Sequence, residues 1–223
     1  MPTRRPSAKP LRRRRPQKDE RPRFVIFCEG TVTEPVYLNA FAALPEIRRV
    51  AALDVRGMGY DPHRLVAEAK QARRSEPGAR ESRTEYWCVF DVEAPEPHQG
   101  LRDAVQMARD NGIGVAVSNP CFELWLILHH AEHTRWLDTE EAQSLRRHSD
   151  GSTGKGLDTV EYMQRRKTAA GRARQLAEMH ERDGSSFPGD NPSSGIFRLL
   201  EAVEQAPRQH GGPAKPSPSH GLE

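Results

Sequence analysis

The chain has 223 residues, of which 35% are hydrophobic and 29% charged, and its formal net charge is +3. That length and apolar content suffice for one domain with a buried core. The sequence has no apolar run long enough to cross a bilayer, and its arginine-rich start lacks a signal-peptide core, which argues against membrane and secreted proteins. Three cysteines without close spacing predict buried thiols in the cytoplasm and not a disulfide framework.

The positive charge is concentrated at the start of the chain. Residues 1–22 hold nine Lys or Arg and two acidic residues, a charge of +7, which leaves −4 for the remainder. This proline-containing segment is predicted to be a disordered basic tail, followed by one domain over 23–206 and a disordered tail over 207–223. The run Arg12, Arg13, Arg14 and Arg15 is a candidate contact for nucleic-acid phosphates, although a solvated leader explains it equally well.

Hydrophobic periodicity predicts strands alternating with helices. The predicted strands cover 24–28, 51–56, 86–91 and 112–117, and helices are predicted from Thr33, from Asp61-Pro62 and over 101–109, 122–130, 139–147, 157–182 and 193–205. This alternation is typical of an α/β fold with a parallel-sheet core flanked by helices. The run of helices after residue 122 predicts a C-terminal helical extension.

Acidic residues follow two of the buried strands. Glu29 comes directly after the first strand, and Asp91 and Glu93 come at the end of the third. In an extended chain, residues two apart point to the same side, so we expect Asp91 and Glu93 to face Glu29 at one sheet edge. Oxygen ligands without Cys or His favour Mg²⁺ or Mn²⁺. By spacing alone, a helix-capping role for Asp91 remains open.

Four sequence blocks resemble the RloB-like family. They are Phe27-Cys28-Glu29-Gly30 with Thr33-Glu34-Pro35-Val36-Tyr37, Val89-Phe90-Asp91-Val92-Glu93, the block from Ser118 to His129, and Asn191-Pro192-Ser193-Ser194. They occur in order over roughly residues 23–205, and the Ser-Asn-Pro-Cys-Phe-Glu-Leu-Trp stretch is distinctive. Family members resemble TOPRIM domains and are associated with restriction-modification and phage-defence loci, often beside an ATPase partner.

The resemblance implies a Mg²⁺-dependent TOPRIM-like nuclease acting on DNA or RNA. It assigns Glu29 to the TOPRIM glutamate and Asp91 to the first acid of an Asp-x-Asp pair. Glu93 departs from the family pattern, because an aspartate is usual there. A non-catalytic module that binds nucleic acid or the ATPase is therefore the alternative function.

Further residues are candidates around this centre. Glu123, in an otherwise apolar helix, is a candidate supporting group for the metal, or a first-turn glutamate favoured by the helix dipole. Lys155, in a glycine-rich loop, is a candidate for contact with phosphate near the acids. The basic run Arg165, Arg166 and Lys167 is a candidate contact for a nucleic-acid backbone, or a solvated helix face.

A zinc-peptidase pattern offers a lesser alternative. His129, Glu132 and His133 form His-x-x-Glu-His, the inverted zincin order. Two histidines four residues apart on a helix share a face, as zinc ligation requires. The family block that ends at His129 explains this segment better.

Overall fold

The computed structural model describes residues 21–76, 83–152 and 156–206, and these residues contain a five-stranded sheet. The strands are β1 Arg23–Cys28, β2 Ala52–Gly57, β3 Thr84–Asp91, β4 Gly114–Asn119 and β5 Ser193–Ser194. Their order across the sheet is β2-β1-β3-β4-β5; the first four are parallel and β5 is antiparallel to β4. The predicted α/β class is confirmed.

Eight helices flank the sheet within the described residues. They are α1 Thr33–Ala43, α2 Pro45–Val50, α3 Pro62–Ser75, α4 Leu101–Asp110, α5 Phe122–His130, α6 Thr139–Asp150, α7 Thr159–Asp183 and α8 Ile196–Gln205. Aspartates begin three of them: Asp61, Asp138 and Asp158 accept hydrogen bonds from main-chain N–H groups of the first turns of α3, α6 and α7. Such caps satisfy donors that have no partner inside the helix.

Apolar side chains cover both faces of the sheet. On one face Phe24 and Ile26 of β1 pack in a cluster with α1, α2, α5, α7 and α8. On the other face Val25 and Phe27 pack in a cluster with α3 and α4. Because both faces are buried, β1 is a continuous apolar run and does not alternate with polar residues.

The strand register brings the carboxyl ends of β1 and β3 together. Cys28, the last residue of β1, lies opposite Val89 of β3 and opposite Gly57 of β2. Helices α1 and α2 lie on one face of the sheet and α3 on the other, so the strand order reverses at the boundary between β1 and β3. Open α/β sheets bind ligands at such a switch point, just beyond the strand ends.

Several elements differ from the sequence predictions. Strand β4 runs to Asn119, two residues beyond its predicted end, because Ser118 pairs with Asp91. The last helix begins at Ile196 and not at Ser193, because Ser193 and Ser194 pair with the end of β4. Helix α2 was not predicted.

In the described part of the chain, no helix has both the length and the apolar character needed to span a membrane. The two predicted disordered tails lie outside the described residues, apart from Arg21 and Pro22 of the first.

Candidate carboxylate site

Glu29 lies at the switch point, immediately after β1. Its main-chain N–H donates to the carbonyl of Val89 (2.9 Å), and its own carbonyl accepts from Gly59 (2.9 Å). Its carboxylate accepts a hydrogen bond from the main-chain N–H of Asp91 (3.1 Å) and contacts His98 Nε2 at 2.9 Å. Burial raises the pKa of Glu29, although the Asp91 N–H and His98 oppose that shift. The side chain is therefore held in place on two sides.

Asp91 is the last residue of β3, and its carboxyl group lies buried among other acids. Its Oδ1 atom is buried and has no hydrogen-bond partner among the described residues. Burial, and after it the charges of Glu34, Glu29, Glu123 and Glu93, raise the pKa of Asp91 well above its usual range. An unpaired buried carboxylate oxygen among four other acids is costly unless a cation or a proton joins it.

Glu93 reaches this region by a turn. The prediction that Asp91 and Glu93 face one side through strand alternation is wrong in its geometry, because β3 ends at Asp91 and Glu93 has a φ of 67°. The main-chain N–H of Glu93 donates to the carbonyl of Pro120 (2.8 Å), which holds this conformation. Its carboxylate accepts a hydrogen bond of 2.6 Å from Thr139 Oγ1, at the start of α6. Glu93 still influences both Asp91 and Glu29 electrostatically.

Glu34 also belongs to the cluster, although the sequence analysis named it only within a family block and not as a site residue. Its side chain is 6% exposed and accepts a hydrogen bond from the main-chain N–H of Gly30 (2.9 Å). Of the neighbouring charges, that of Glu34 has the largest effect on the pKa of Asp91. The usable signal was a glutamate in the first helical turn directly after the glycine turn that follows Glu29.

Glu123 also belongs to this cluster. It is partly buried in the first turn of α5, and its charge contributes to the raised pKa of Asp91. Burial, followed by the charges of Asp91 and Glu123, raises the pKa of the Cys121 thiol. His98, which contacts Glu29, was missed because it lies in a proline-containing loop with no periodic pattern.

The cluster has the chemistry of a site for a hard cation. All five acidic side chains offer oxygen, and one buried oxygen of Asp91 lacks a partner. Within residues 21–76, 83–152 and 156–206, no three Asp, Glu, His or Cys side chains are placed as a ready metal site. Glu29 and Glu93 instead contact His98 and Thr139. The residues would fit a divalent cation if Glu29 exchanged its contact with His98 for coordination and Glu93 used the carboxylate oxygen that does not accept from Thr139.

The zinc-peptidase alternative is contradicted by the geometry. Helix α5 ends at His130, so Glu132 and His133 lie beyond it and do not share a helical face with His129. His129 is buried, with its Nδ1 2.8 Å from the Trp125 carbonyl and its Nε2 3.1 Å from the Tyr37 hydroxyl. Burial lowers the pKa of His129 to about 3, and both ring nitrogens are already engaged.

The predicted basic contacts are only partly described. Lys155 and the run Arg12, Arg13, Arg14 and Arg15 lie outside the described residues. Arg166 is largely buried and pairs with Glu46 of α2 (2.9 Å) and Glu204 of α8 (3.9 Å), which gives it a packing role. Arg165 is exposed and pairs with Glu161 at 3.0 Å, and Lys167 is exposed. A nucleic-acid contact at Arg165 and Lys167 stays a prediction.

Comparison with known proteins gives one result. A family model described as "RloB-like protein" matches residues 24–203, which span the sheet, the carboxylate cluster and nearly all of α8. No curated protein and no solved structure matches the chain.

Proposed function

The chain belongs to the RloB-like family, and we propose that it is a metal-dependent, TOPRIM-like nuclease that hydrolyses phosphodiester bonds of DNA or RNA in defence against foreign nucleic acid. One observation carries the proposal. The buried Oδ1 of Asp91 has no partner among the described residues, although four other acidic side chains raise the pKa of this carboxyl group. Perturbed acids grouped at the ligand-binding edge of an α/β sheet are typical of a functional centre.

The electrostatics favour a bound cation. The charges of Glu29, Glu34, Glu93 and Glu123 all act on Asp91, and His98 contacts the cluster at Glu29. Concentrated negative charge in a partly buried place destabilises the protein unless a proton or a cation compensates for it.

The residues divide into two sets in this proposal. Glu29, Asp91 and Glu93 would hold Mg²⁺ or Mn²⁺, while Glu34 and Glu123 add negative charge around them. Such an ion, when bound, activates a water molecule and stabilises the leaving oxygen of a phosphodiester. The protein itself orients the ligands: the Asp91 N–H fixes Glu29, and Thr139 fixes Glu93.

A second candidate function has an observation in its favour. Glu93 stands where the family usually has aspartate, and its carboxylate is already bonded to Thr139. If that bond holds Glu93 too far from the other acids to share an ion, the third ligand is missing and the domain serves as a non-catalytic module that binds nucleic acid or an ATPase partner. An ATPase encoded at the same locus is the proposed partner in both cases.

Metal binding and cleavage, measured together, separate these two functions. We would titrate Mn²⁺ into wild type, Glu29→Gln and the surface control Glu178→Gln by calorimetry. We would then assay cleavage of single- and double-stranded DNA and RNA, with and without the ATPase. The nuclease proposal expects Mn²⁺ binding and cleavage in wild type and the control, and loss of both in Glu29→Gln. A wild type that binds nucleic acid or the ATPase but neither Mn²⁺ nor any scissile substrate supports the non-catalytic module.

A further inference from the structure

Trp136 is unusually exposed for a tryptophan. Its side chain is 56% exposed, and it is the only exposed aromatic residue in the described parts of the chain. The other two tryptophans, Trp87 and Trp125, are partly and fully buried. Tryptophan buries much of its large surface in most proteins, and it is enriched at binding interfaces, where its ring offers a large flat apolar contact.

The segment that carries Trp136 is firmly attached. The main-chain N–H of Leu137 donates to Asn191 Oδ1 (3.1 Å), and Asn191 Nδ2 donates back to the Leu137 carbonyl (2.8 Å). Leu137 itself is 5% exposed, and Asp138 caps α6 in a capping box with Glu141. Trp136 is therefore held at the surface by its neighbours, so binding a ligand there costs little ordering of the chain.

Trp136 lies close to the carboxylate cluster. Three residues later, Thr139 donates to Glu93 and its main-chain N–H donates to the Ala94 carbonyl (3.0 Å). Three residues of extended chain span at most about 11 Å. If a base of a nucleic-acid strand stacked on Trp136, a phosphate of the same strand only a few nucleotides away could therefore reach the carboxylate cluster.

The residues before Trp136 border a cavity that two arginines line. A cavity of about 170 Å³ is lined by Glu132, His133 and Thr134 from this segment and by Arg172 and Arg182 from α7. Arg172 also donates to the Leu128 carbonyl (2.8 Å), and His133 Nε2 is buried without a hydrogen-bond partner among the described residues. Arg135 is exposed beside Trp136. Arg135 is adjacent to Trp136 in the chain, and Arg172 and Arg182 line the cavity beside the residues that precede it. Cationic side chains near an exposed aromatic ring are the combination that binds a single nucleic-acid strand.

We propose that Trp136 is a stacking platform for a base of single-stranded nucleic acid, with Arg135, Arg172 and Arg182 contacting the flanking phosphates. This inference rests on the proposed function and names its substrate class as a single strand. Stacking of one base on an aromatic side chain stabilises such complexes by about 1–3 kcal/mol, which corresponds to a roughly 5- to 150-fold change in Kd.

The test measures binding of a fluorescein-labelled oligothymidylate by anisotropy, with Ca²⁺ in place of Mg²⁺ to suppress cleavage. We expect Trp136→Ala to weaken binding by about 5- to 150-fold, and Trp136→Phe to restore most of it. Val160→Ala, a control at another exposed apolar residue (67% exposed), should bind like wild type. An oligonucleotide of the same length with abasic sites should bind wild type and Trp136→Ala equally weakly.

Two outcomes overturn the inference. One is equal affinity of wild type and Trp136→Ala for oligothymidylate. That result would show that the exposed ring does not bind a base, and contact with a protein partner would become its proposed role. The other is an equal loss on the abasic strand, which would show an effect on the backbone contacts. Trp136→Ala should retain Mn²⁺ binding. If the stacking proposal fails while wild type binds Mn²⁺ and cleaves nucleic acid, the proposed nuclease function is unaffected. Absence of Mn²⁺ binding and of cleavage in wild type removes the proposed function itself.

Discussion

The main-chain N–H of Asp91 donates a hydrogen bond of 3.1 Å to the carboxylate of Glu29. The two residues are 62 positions apart and end neighbouring strands, so this bond fastens the first acid of the cluster to the strand that carries the second. Asp91 Oδ1, in the same place, is buried among negative charges. The arrangement sacrifices stability in the free protein, as functional sites commonly do.

Asp91→Asn should stabilise the metal-free protein. Because the folded pKa of Asp91 is raised, its contribution to stability is complete below the unfolded pKa, near 3.9, and is lost as pH rises through the folded pKa. Removing the charge therefore matters most at pH 7–8. We expect the melting temperature in EDTA at pH 7.5 to rise by at least about 2 °C, which corresponds to about 1 kcal/mol in a domain of this size.

The same variant should bind Mn²⁺ poorly, and its gain in melting temperature should vanish near pH 3.5. Glu178→Gln, on the exposed surface of α7, serves as the control and should change neither property. A lower melting temperature for Asp91→Asn at pH 7.5 would contradict the electrostatic account of the site.

Thr139 should act as a positioning residue for Glu93. Its hydroxyl accepts from the Ala94 N–H (3.1 Å) and donates to the Glu93 carboxylate (2.6 Å). Thr139→Val keeps the shape but removes the hydroxyl, so we expect Mn²⁺ affinity to fall by about 10-fold or more, in the range reported for groups that orient metal ligands. Thr139→Ser restores the hydroxyl and should restore the affinity. Tighter Mn²⁺ binding by Thr139→Val would instead show that this bond withholds Glu93 from the ion.

Gly30→Ala should disturb the cluster through Glu34. A Cβ at Gly30 would collide with the Glu34 carboxylate, which accepts from the Gly30 N–H. We expect lower Mn²⁺ affinity, measured by calorimetry, because Glu34 must move. Gly171→Ala, where a Cβ on α7 meets nothing within 4 Å, is the matched control and should leave metal binding unchanged while stabilising the protein by up to about 1 kcal/mol. Equal Mn²⁺ affinity in both variants would remove Glu34 from the site.

His129 should make the protein sensitive to acid. Burial lowers its pKa to about 3, against about 6.5 in the unfolded chain, so its contribution is present above pH 6.5 and is lost as pH falls towards 3. The slope is up to about 1.4 kcal/mol per pH unit for this proton. In urea unfolding between pH 6.5 and 4, His129→Phe should be less stable than wild type at neutral pH but should show a shallower slope. Identical slopes would mean that His129 is protonated in the folded protein.

The sheet was predictable because its inner strands are covered on both faces. The apolar runs ending at Cys28 and Phe90 stand out, and each delivers an acid to the strand end. The aspartate cap of α3 was equally predictable, since Asp61 comes just before a helical pattern. The two-residue strand β5 was not, because it exists only through its pairing with Ser118 and Asn119.

The site was harder to predict because its contacts are distant in sequence. Glu29 and Asp91 could be placed from strand ends, but Thr139 lies 46 residues from Glu93, and His98 lies in an irregular loop. Strand alternation misled at Glu93, where a left-handed backbone replaces the extended one. Helical spacing misled at His129 and His133, because α5 ends between them.

Anomalous diffraction from a crystal soaked in Mn²⁺ tests the central claim most directly. We expect one strong peak at the carboxyl ends of β1 and β3, with Asp91 Oδ1 and a Glu29 oxygen at about 2.1 Å, the usual distance for a small hard cation. The peak should be absent from crystals of Asp91→Asn. A wild-type crystal with no peak at these residues, or a peak that persists unchanged in Asp91→Asn, would contradict the account.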